Sequence, residues 1–279
     1  MINQNTKSAP TLTLPHRGGN AHAFTLAEVL ITLGVIGVVA AMTLPSLINN
    51  YQKIAYVNQL KAGYTLVNEG FQRMLALESV FDIEDTELMK AVAENGGDTD
   101  KVAAETAVRP IIEKYFKEAG FVSRENLRTE SDCNKLVGTG ARFWNLGDKS
   151  TCSGNFNMQY LMPNGMYMNL YLNSPCTQSS ISNEEIKNNG GHMLKSCGHI
   201  WLDINGKKGP NQWGRDGFIF ALSQNGMVYP FLGHDHNIWY EGKTDDNYVI
   251  NQCNPSIQSS KGTTCSSRII DLNNWKMDY

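Results

Sequence analysis

The chain has 279 residues, of which 41% are hydrophobic and 18% are charged, and its formal net charge is −3. This balance excludes a protein that binds nucleic acid through a generally basic surface, although a local basic groove stays open. A leader and one apolar helix leave about 200 residues, which is enough for one domain with its own core.

The N-terminus is a basic, hydrophilic leader. Residues 1–27 contain Lys7 and Arg17 but no Asp or Glu. The positive-inside rule therefore keeps the leader in the cytoplasm and places everything after Leu44 on the outer side. A small-residue cleavage site ending at Ala23 precedes the apolar segment, whereas an ordinary secretory signal is cut after its apolar core.

An apolar segment follows from Phe24 to Leu44, and Glu28 is its only ionisable side chain. At about 1.5 Å per residue this segment makes a helix of roughly 30 Å, the thickness of a bilayer hydrocarbon core. A carboxylate in such a span is costly and is by default functional. We expect its partner to lie outside its own helix.

The box Phe24-Thr-Leu-Ala-Glu28, followed by an apolar helix, resembles the N-terminus of type IV pilins and type II secretion pseudopilins. The resemblance covers about residues 17–75. It implies that a prepilin peptidase cleaves between Ala23 and Phe24 and N-methylates Phe24. It also implies that Glu28 neutralises the N-terminal amine of a neighbouring subunit in a filament, which removes the cost that each charge carries alone. The family usually has Gly before the cut where this chain has Ala23, so slower or misplaced processing is expected.

Two other interpretations of the apolar segment stay open. It could be a plain transmembrane anchor that carries an accidental glutamate. It could also be a conventional signal peptide cut near Ala40-Ala41-Met42, although the segment is longer than the usual signal core of about 7–15 residues.

The helix is predicted to continue to about Ser79, with a kink at Pro45, for a total length of roughly 80 Å. Apolar residues recur beyond Pro45 at spacings of three and four, which predicts a stripe that packs on a globular domain. These residues are Tyr51, Ile54, Val57, Leu60, Tyr64, Val67, Phe71, Met74 and Leu75.

The next segment is acidic and predicted to be helical. A short helix, a turn at Asn95-Gly96-Gly97 and a second helix from Thr99 to about Ala119 are expected, with Gly120 ending the second helix. We interpret the acids as a solvated helix face, since no ligand spacing supports cation binding there.

The remaining chain predicts an antiparallel sheet. Alternating apolar arms flank a Pro-Asn-Gly turn in Met158–Leu172, which indicates a β-hairpin. Further strands are expected at 199–203, at 217–222 and around 224–230, and an irregular tail from Gly233 to Tyr279.

Six cysteines lie on the side of the membrane predicted to be outside. An even number in an exported domain predicts three disulfides among fifteen possible pairings, with free core thiols as the alternative. The cysteines are Cys133, Cys152, Cys176, Cys197, Cys253 and Cys265.

The loop from Asp203 to Asp216 is the strongest candidate for a metal site. Asp203, Asn205 and Asp216 could offer oxygen ligands to calcium, and glycines let backbone carbonyls converge. The loop resembles an Asp-x-Asn-Gly-x-x-Gly-Pro-Asn-x-x-Gly-x-Asp loop of some pilin-like proteins, and major pseudopilins bind calcium in their C-terminal sheet. It lacks the spacing of an EF-hand. A turn whose Asp and Asn side chains bond their own backbone is the alternative.

The histidines carry no zinc pattern. His192, His199, His234 and His236 include no His-Glu-x-x-His pair, so we interpret them as polar loop residues. No nucleophile elbow, phosphate loop or nucleotide fingerprint is present, and an enzyme is therefore not predicted.

The predicted fold class is α+β, with a long N-terminal helix that is membrane-spanning in its first half and packs by its second half on an antiparallel β-sheet, and with a disulfide-tied C-terminal region. The predicted segments are a cleaved leader 1–23, a transmembrane or filament-core helix 24–44, its amphipathic continuation 45–80, a helical insertion 81–130 and a β-rich domain 131–279.

The resemblance implies a pilin or pseudopilin subunit that assembles into a helical filament for adhesion, motility, DNA uptake or protein secretion. Its partners would be a prepilin peptidase, membrane lipid, other pilin subunits and an inner-membrane assembly platform with its ATPase. Its N-terminus would be cytoplasmic before processing and its C-terminal domain periplasmic or extracellular, in a pilus or pseudopilus after assembly. The alternatives are a membrane-anchored domain that binds DNA or a surface, and an anchored extracellular enzyme. Calcium is the one cofactor that the sequence suggests.

Overall fold

The structure is a computed structural model, and it divides into two compact units, one ending at Ile48 and one running from Asn49 to Tyr279. For residues 120–122, 152–153 and 178 only the backbone is described. Ala23 and Phe24 lie outside the described residues, which are 25–99, 102–116, 120–122, 143–148, 152–153, 158–178, 195–206, 208–231 and 246–279.

Helix α1 spans Leu26–Glu78 and includes Pro45. The predicted long helix is therefore confirmed to within two residues at each end, and a bend at Pro45 stays a prediction. An 18-residue window of α1 has a mean hydropathy of 2.2 and none of it is buried, so α1 is long and apolar enough to span a membrane.

The predicted packing stripe of α1 is confirmed from Val57 onward. Leu60, Phe71 and Met74 are completely buried. At the start of the stripe, however, Tyr51 and Ile54 are 73% and 61% exposed. The prediction is wrong for these two residues, because helical spacing shows which face is apolar but not where along the helix the packing begins.

The segment after α1 forms a short 3₁₀ helix, Ile83–Asp85, followed by α2, Glu87–Glu94, and α3, Val102–Tyr115. Thr86 caps α2, since its Oγ1 accepts a hydrogen bond from the Met89 backbone N–H at 3.3 Å. The two predicted helices are thus present, with α3 shorter than expected. Residues 120–122 form a strand, which corrects the helical assignment of that part of the insertion.

Strands β4 to β8 form an antiparallel meander, and the short β1 pairs with β4 at its edge. The predicted hairpin is confirmed, with Tyr160 opposite Met168 and Leu161 opposite Tyr167. Strands β2 and β3 form a separate pair. The strands are β1 Gly120–Val122, β2 Phe143–Trp144, β3 Cys152–Ser153, β4 Met158–Leu161, β5 Tyr167–Gln178, β6 Lys195–Asp203, β7 Gly217–Ser223 and β8 Val228–Pro230.

The second half of α1 packs on one face of this sheet. Leu202, Ile200 and Phe220 point from β6 and β7 into the same buried core as Leu60 and Phe71. Polar bonds fix the register at the β8 edge. The Tyr64 hydroxyl donates to the Val228 carbonyl at 2.9 Å, and Asn68 Oδ1 accepts from the Val228 N–H at 2.8 Å.

The C-terminal region is more regular than predicted. It contains α4, Asp246–Gln252, and α5, Cys265–Ser267, which continues into a π-helix, Arg268–Leu272. A disulfide joins Cys253 to Cys265 across these helices.

A second disulfide, between Cys176 and Cys197, links β5 to β6. Disulfide bonding is therefore confirmed for four of the six cysteines. Cys133 lies outside the described residues, and only the backbone of Cys152 is described, so a third bond stays a prediction.

Two glycines of α1 provide a test of how closely the helix is packed. A Cβ at Gly70 would lie 2.2 Å from the Phe116 ring, which is itself buried against Phe71. A Cβ at Gly63 would meet only side-chain ends, Met166 Sδ at 3.1 Å and Leu202 Cδ1 at 3.2 Å. Alanine also favours a helix over glycine by about 1 kcal/mol.

We expect Gly70→Ala to lower the free energy of unfolding by about 1–3 kcal/mol, because the buried Phe116 ring would have to shift to make room for the added Cβ. The matched Gly63→Ala should stay within about 1 kcal/mol of the parent, since its clash is mild and helix propensity offsets it. Urea unfolding of the full chain in detergent micelles measures both. Equal stability of the two variants would contradict this packing.

Candidate functional site

The first candidate site is the apolar surface of α1 in the N-terminal unit. Thirteen large hydrophobic side chains between Leu26 and Ile48 are exposed, with exposed fractions from 41% to 79%. Soluble proteins do not present a continuous apolar surface of this kind without covering it. This surface therefore needs a lipid or protein partner.

Glu28 is the one acid on this surface, and the structure places it in the first turn of α1. Its Oε2 accepts hydrogen bonds from the Thr25 backbone N–H and the Thr25 hydroxyl, both at 2.9 Å. In return, the Glu28 N–H donates to Thr25 Oγ1 at 3.2 Å. This reciprocal arrangement is a capping box, which satisfies the free N–H groups at the start of a helix.

The local signal for this capping role is present in the sequence. Thr25 and Glu28 stand three positions apart just before an apolar run, which is the spacing of a capping box. Glu28 can therefore be explained in two ways, as a helix cap or as a charge that pairs with another chain. Both described bonds from Thr25 end on Oε2, so the second carboxylate oxygen, Oε1, is available to a neighbour.

The second candidate site is the loop between β6 and β7. Asp203 ends β6 and its Oδ1 accepts hydrogen bonds from the backbone N–H groups of Gly206 at 2.9 Å and Asn205 at 3.3 Å. Gly206 has a φ of +65°, and a Cβ there would lie 2.0 Å from the Gly165 carbonyl oxygen. Only glycine fits this close contact between the loop and the turn of the β4–β5 hairpin.

Asp216 holds the other end of the loop. Its Oδ2 accepts from the Asn211 N–H at 2.8 Å and from Asn205 Nδ2 at 2.9 Å, and its Oδ1 accepts from the Gln212 N–H. Asn205 thus donates to both aspartates, one through its backbone and one through its side chain. The structure brings together the three residues that the sequence singled out.

Several polar atoms of this loop lack a hydrogen-bond partner within the part of the chain that the structure describes. They are Asp203 Oδ2, Asn205 Oδ1 and both amide atoms of Asn211. Asp203, Asn211 and Asp216 are completely buried. A buried acceptor without a donor costs about 1–3 kcal/mol, and an unpaired buried carboxylate costs more.

Burial raises the pKa of both aspartates. The pKa of Asp203 lies well above its ordinary value because of burial and the nearby Asp216 carboxylate. Burial raises the pKa of Asp216 to about 6, although hydrogen bonds from Gln212, Asn211 and Asn205 oppose the rise. A proton or a cation bound between these groups would relieve the repulsion.

The donor set fits a hard cation in part. Carboxylate and amide oxygens are the ligands that calcium prefers, and Asp203 Oδ2 and Asn205 Oδ1 have that chemistry. Among the described residues, however, no group of three or more His, Cys, Asp or Glu side chains could hold a metal ion. The many bonds to backbone N–H groups support the alternative interpretation, a turn stabilised by its own side chains.

The histidines do not converge in the described residues. His199 lies within β6, which confirms the strand predicted from residue 199 and corrects its interpretation as a polar loop histidine. Its ring is 5.3 Å from that of Phe231 and 5.9 Å from that of Trp201. Burial lowers the pKa of His199 to about 4, so its ring is neutral at neutral pH. His192, His234 and His236 lie outside the described residues.

Comparison of the chain with protein-family models, with curated proteins and with solved structures gives no match.

A pH and calcium experiment on Asp203 separates a cation site from a self-sufficient turn. A raised carboxyl pKa means that the folded state holds more protons than the unfolded state between pH 3.8, the ordinary value, and about 6. Without a cation, Asp216 alone should lower the free energy of unfolding by up to about 3 kcal/mol as the pH rises through this window.

The variant Asp203→Asn keeps an acceptor for Gly206 and replaces the unpaired carboxylate oxygen with a neutral amide. With chelator present at pH 7, we expect it to be at least as stable as the parent and to have a shallower pH dependence. If the loop binds calcium, millimolar calcium should raise the Tm of the parent but not of Asp203→Asn, because ligands stabilise the state that binds them. Glu113→Gln, which changes an exposed acid, is the matched control. If calcium does not change the Tm of the parent protein, the cation site is ruled out.

Proposed function

We propose that this chain is a pilin-like structural subunit that is stored in a membrane and assembled into a helical filament. The observation that carries the proposal is the exposed apolar surface of α1, with Glu28 as its one acid in the first helical turn. The resemblance of the Phe24-Thr-Leu-Ala-Glu28 box to the N-terminus of pilins and pseudopilins supports it.

The energetics of the apolar surface favour a subunit that moves between two apolar environments. Burying one large apolar side chain stabilises by about 1.5–3 kcal/mol, so the thirteen exposed side chains represent tens of kcal/mol in total. A bilayer and a bundle of identical helices can both cover such a surface. Transfer from one to the other therefore costs little, whereas release into water is prohibitive.

The position of Glu28 supports the filament over a plain anchor. A carboxylate in an apolar environment needs a positive partner, and the capping box with Thr25 supplies only neutral donors. Cleavage after Ala23 would create an amine on Phe24 in every subunit. In our proposal, Glu28 Oε1 pairs with that amine on a neighbouring copy.

The further partners follow from the proposal. They are a prepilin peptidase, an assembly platform with its ATPase, membrane lipid and other pilin subunits, with the globular unit periplasmic or extracellular. A secretion pseudopilin and a pilus subunit, major or minor, both fit the described residues. The runner-up is a membrane-anchored binding domain or enzyme, for which Glu28 would be a helix cap alone.

We further propose that the loop between Asp203 and Asp216 takes up calcium. The unpaired oxygens of Asp203 and Asn205 favour this second function. The calcium experiment on Asp203→Asn tests it independently of filament assembly.

The mature N-terminus is the first test of the proposed processing. Mass spectrometry of the N-terminal peptide from membranes should find N-methylated Phe24. An intact Met1, or a start near Met42, would overturn the proposal in favour of an uncleaved anchor or a signal peptide.

The two explanations of Glu28 are separated by a pair of substitutions. Glu28→Gln retains a capping-box acceptor but removes the charge, whereas Glu28→Ala removes both. If Glu28 pairs with an amine, both variants should fail to form filaments, as seen by electron microscopy of sheared cells.

Thr25→Ala is the matched control, because it removes the cap and leaves the charge. It should still assemble, with a helix destabilised by about 1 kcal/mol. Normal assembly of Glu28→Gln together with failure of Glu28→Ala would show that Glu28 acts only as a cap.

A further inference from the structure

A groove of about 430 Å³ lies between α1 and the C-terminal segment of the globular unit. Ile54 and Val57 of α1 and the indole of Trp275 contribute its apolar lining. None of the described residues that line it is acidic, and three are lysines: Lys53, Lys61 and Lys276. We call this feature the basic groove.

The basic groove is held in shape by contacts at Trp275. Lys61 Nζ lies 5.2 Å from the centroid of the indole, and the Tyr64 ring lies 5.7 Å from it in an edge-on arrangement. The Trp275 backbone N–H donates to the Ile269 carbonyl at 2.7 Å. Trp275 has a φ of +63°, a rare conformation for a bulky residue that persists only where surrounding structure enforces it. The groove is therefore built before any ligand arrives.

A complementary feature lies just after the other end of α1. Phe81 is 96% exposed and Leu77 is 68% exposed. Residues 77–89 contain no Lys or Arg and have five acids. Two of these acids are paired within the chain, Glu84 with Lys195 at 3.0 Å and Glu87 with Lys114 at 3.5 Å. We therefore restrict the acidic knob to Leu77, Phe81, Asp82 and Asp85.

The acidic knob is also held in place by its neighbours. The Ile83 side chain is buried directly behind it, and the Ile83 N–H donates to the Gln224 carbonyl at 2.7 Å. Asp82 Oδ1 accepts from the Glu84 N–H at 2.9 Å and caps the 3₁₀ helix. An aromatic side chain is thus presented to solvent by a fixed backbone.

The acidic knob cannot fill the basic groove of its own chain. Ile54 and Leu77 both belong to α1 and stand 23 positions apart. At 1.5 Å and 100° per residue, they are separated by about 35 Å along the helix and by about 140° around it. The two features therefore face different directions at different heights, and only a second molecule can bring them together.

We propose that the acidic knob of one copy docks in the basic groove of the next copy. Phe81 enters the apolar lining beside Trp275, and the surrounding acids meet Lys53, Lys61 and Lys276 at the rim. A buried aromatic anchor with charged pairs around it is the usual arrangement of a strong contact site. This proposal rests on the proposed filament, since a contact between two different surfaces does not close on itself and propagates along a fibre.

The second copy is a better occupant than an anionic lipid headgroup. A headgroup would match the three lysines but would leave Phe81 exposed. The chain itself supplies one segment that has both properties the groove requires, an apolar side chain and negative charge around it. Charge complementarity within one sequence therefore favours self-association.

Crosslinking of the full chain in membranes tests the docking. A double variant with Ser79→Cys, beside Phe81, and Asn58→Cys, in the groove lining, keeps the docking side chains and, treated with a short bismaleimide, should give dimers, trimers and higher species. The separation of about 30 Å along α1 prevents a bond within one chain. Each single variant should give dimers at most. Ser79→Cys combined with Ile250→Cys, which alters an exposed residue of α4, should give no ladder.

Charge reversal shows whether the lysines matter. In the double-cysteine background, Lys61→Glu should abolish the ladder, Lys61→Arg should retain it, and adding Asp85→Lys, at an exposed acid of the knob, to Lys61→Glu should restore it. A misfolded variant would not be restored by a change on the other surface. Failure of Asp85→Lys to restore the ladder overturns the pairing.

The outcomes separate this docking from the proposed filament itself. Filaments with N-methylated Phe24 that give no ladder would overturn the docking and leave the filament standing. Absence of both filaments and N-methylated Phe24 would overturn the proposed function. Binding of phosphatidylglycerol to the chain in detergent micelles, seen by native mass spectrometry and abolished by Lys61→Glu, combined with no ladder, would make the groove a lipid site and overturn the docking.

Discussion

The structure depends on one constraint, which is that the apolar side chains between Leu26 and Ile48 cannot stay in water. They are exposed all around the helix, with no polar face among them. A soluble domain would bury them against its own core, but these residues form a compact unit separate from the globular one. This unit is therefore long and apolar enough to span a membrane, and the proposed function starts from that property.

In the globular unit the apolar face of α1 is buried, because it forms part of the core. Leu60, Val67 and Phe71 are buried by the sheet, and Tyr64 and Asn68 bond the edge strand β8. The same helix thus supplies an apolar surface that needs an external partner and a packing face that is fully satisfied within the chain. The change occurs between Ile54, which is exposed, and Val57, which is buried.

Sequence patterns predicted the elements whose residues repeat and missed those set by tertiary contacts. Helical spacing gave α1 almost to the residue, and alternation around Pro-Asn-Gly gave the β4–β5 hairpin. Strand β1 is three residues long and forms by pairing with β4. A strand this short has no local sequence pattern that predicts it. The spacing of cysteines could not separate Cys176–Cys197 from the other pairings, because a disulfide depends on which strands are neighbours.

The candidate sites show the same division. The composition of the β6–β7 loop is enough to predict its polar residues. The complete burial of Asp203 and Asp216 cannot be predicted from composition. Burial is what turns an ordinary polar turn into a place where a cation or a proton changes stability. The capping box at Thr25 and Glu28 is visible in the sequence as a spacing of three residues, but the same glutamate also fits a charge that pairs with another chain, and spacing alone does not separate the two roles.

The charge distribution of the globular unit bears on the direction of assembly. The net charge of the chain is only −3, yet residues 49–68 contain two lysines and no acid, while residues 77–89 contain five acids and no base. Two copies aligned in the same direction can bring the acidic end of one against the basic part of the other. Two copies aligned in opposite directions through the same ends would place like charges together, which costs free energy when they are desolvated. In the proposed filament, segregated charge would therefore select one orientation, and such a filament would be polar, with different surfaces exposed at its two ends.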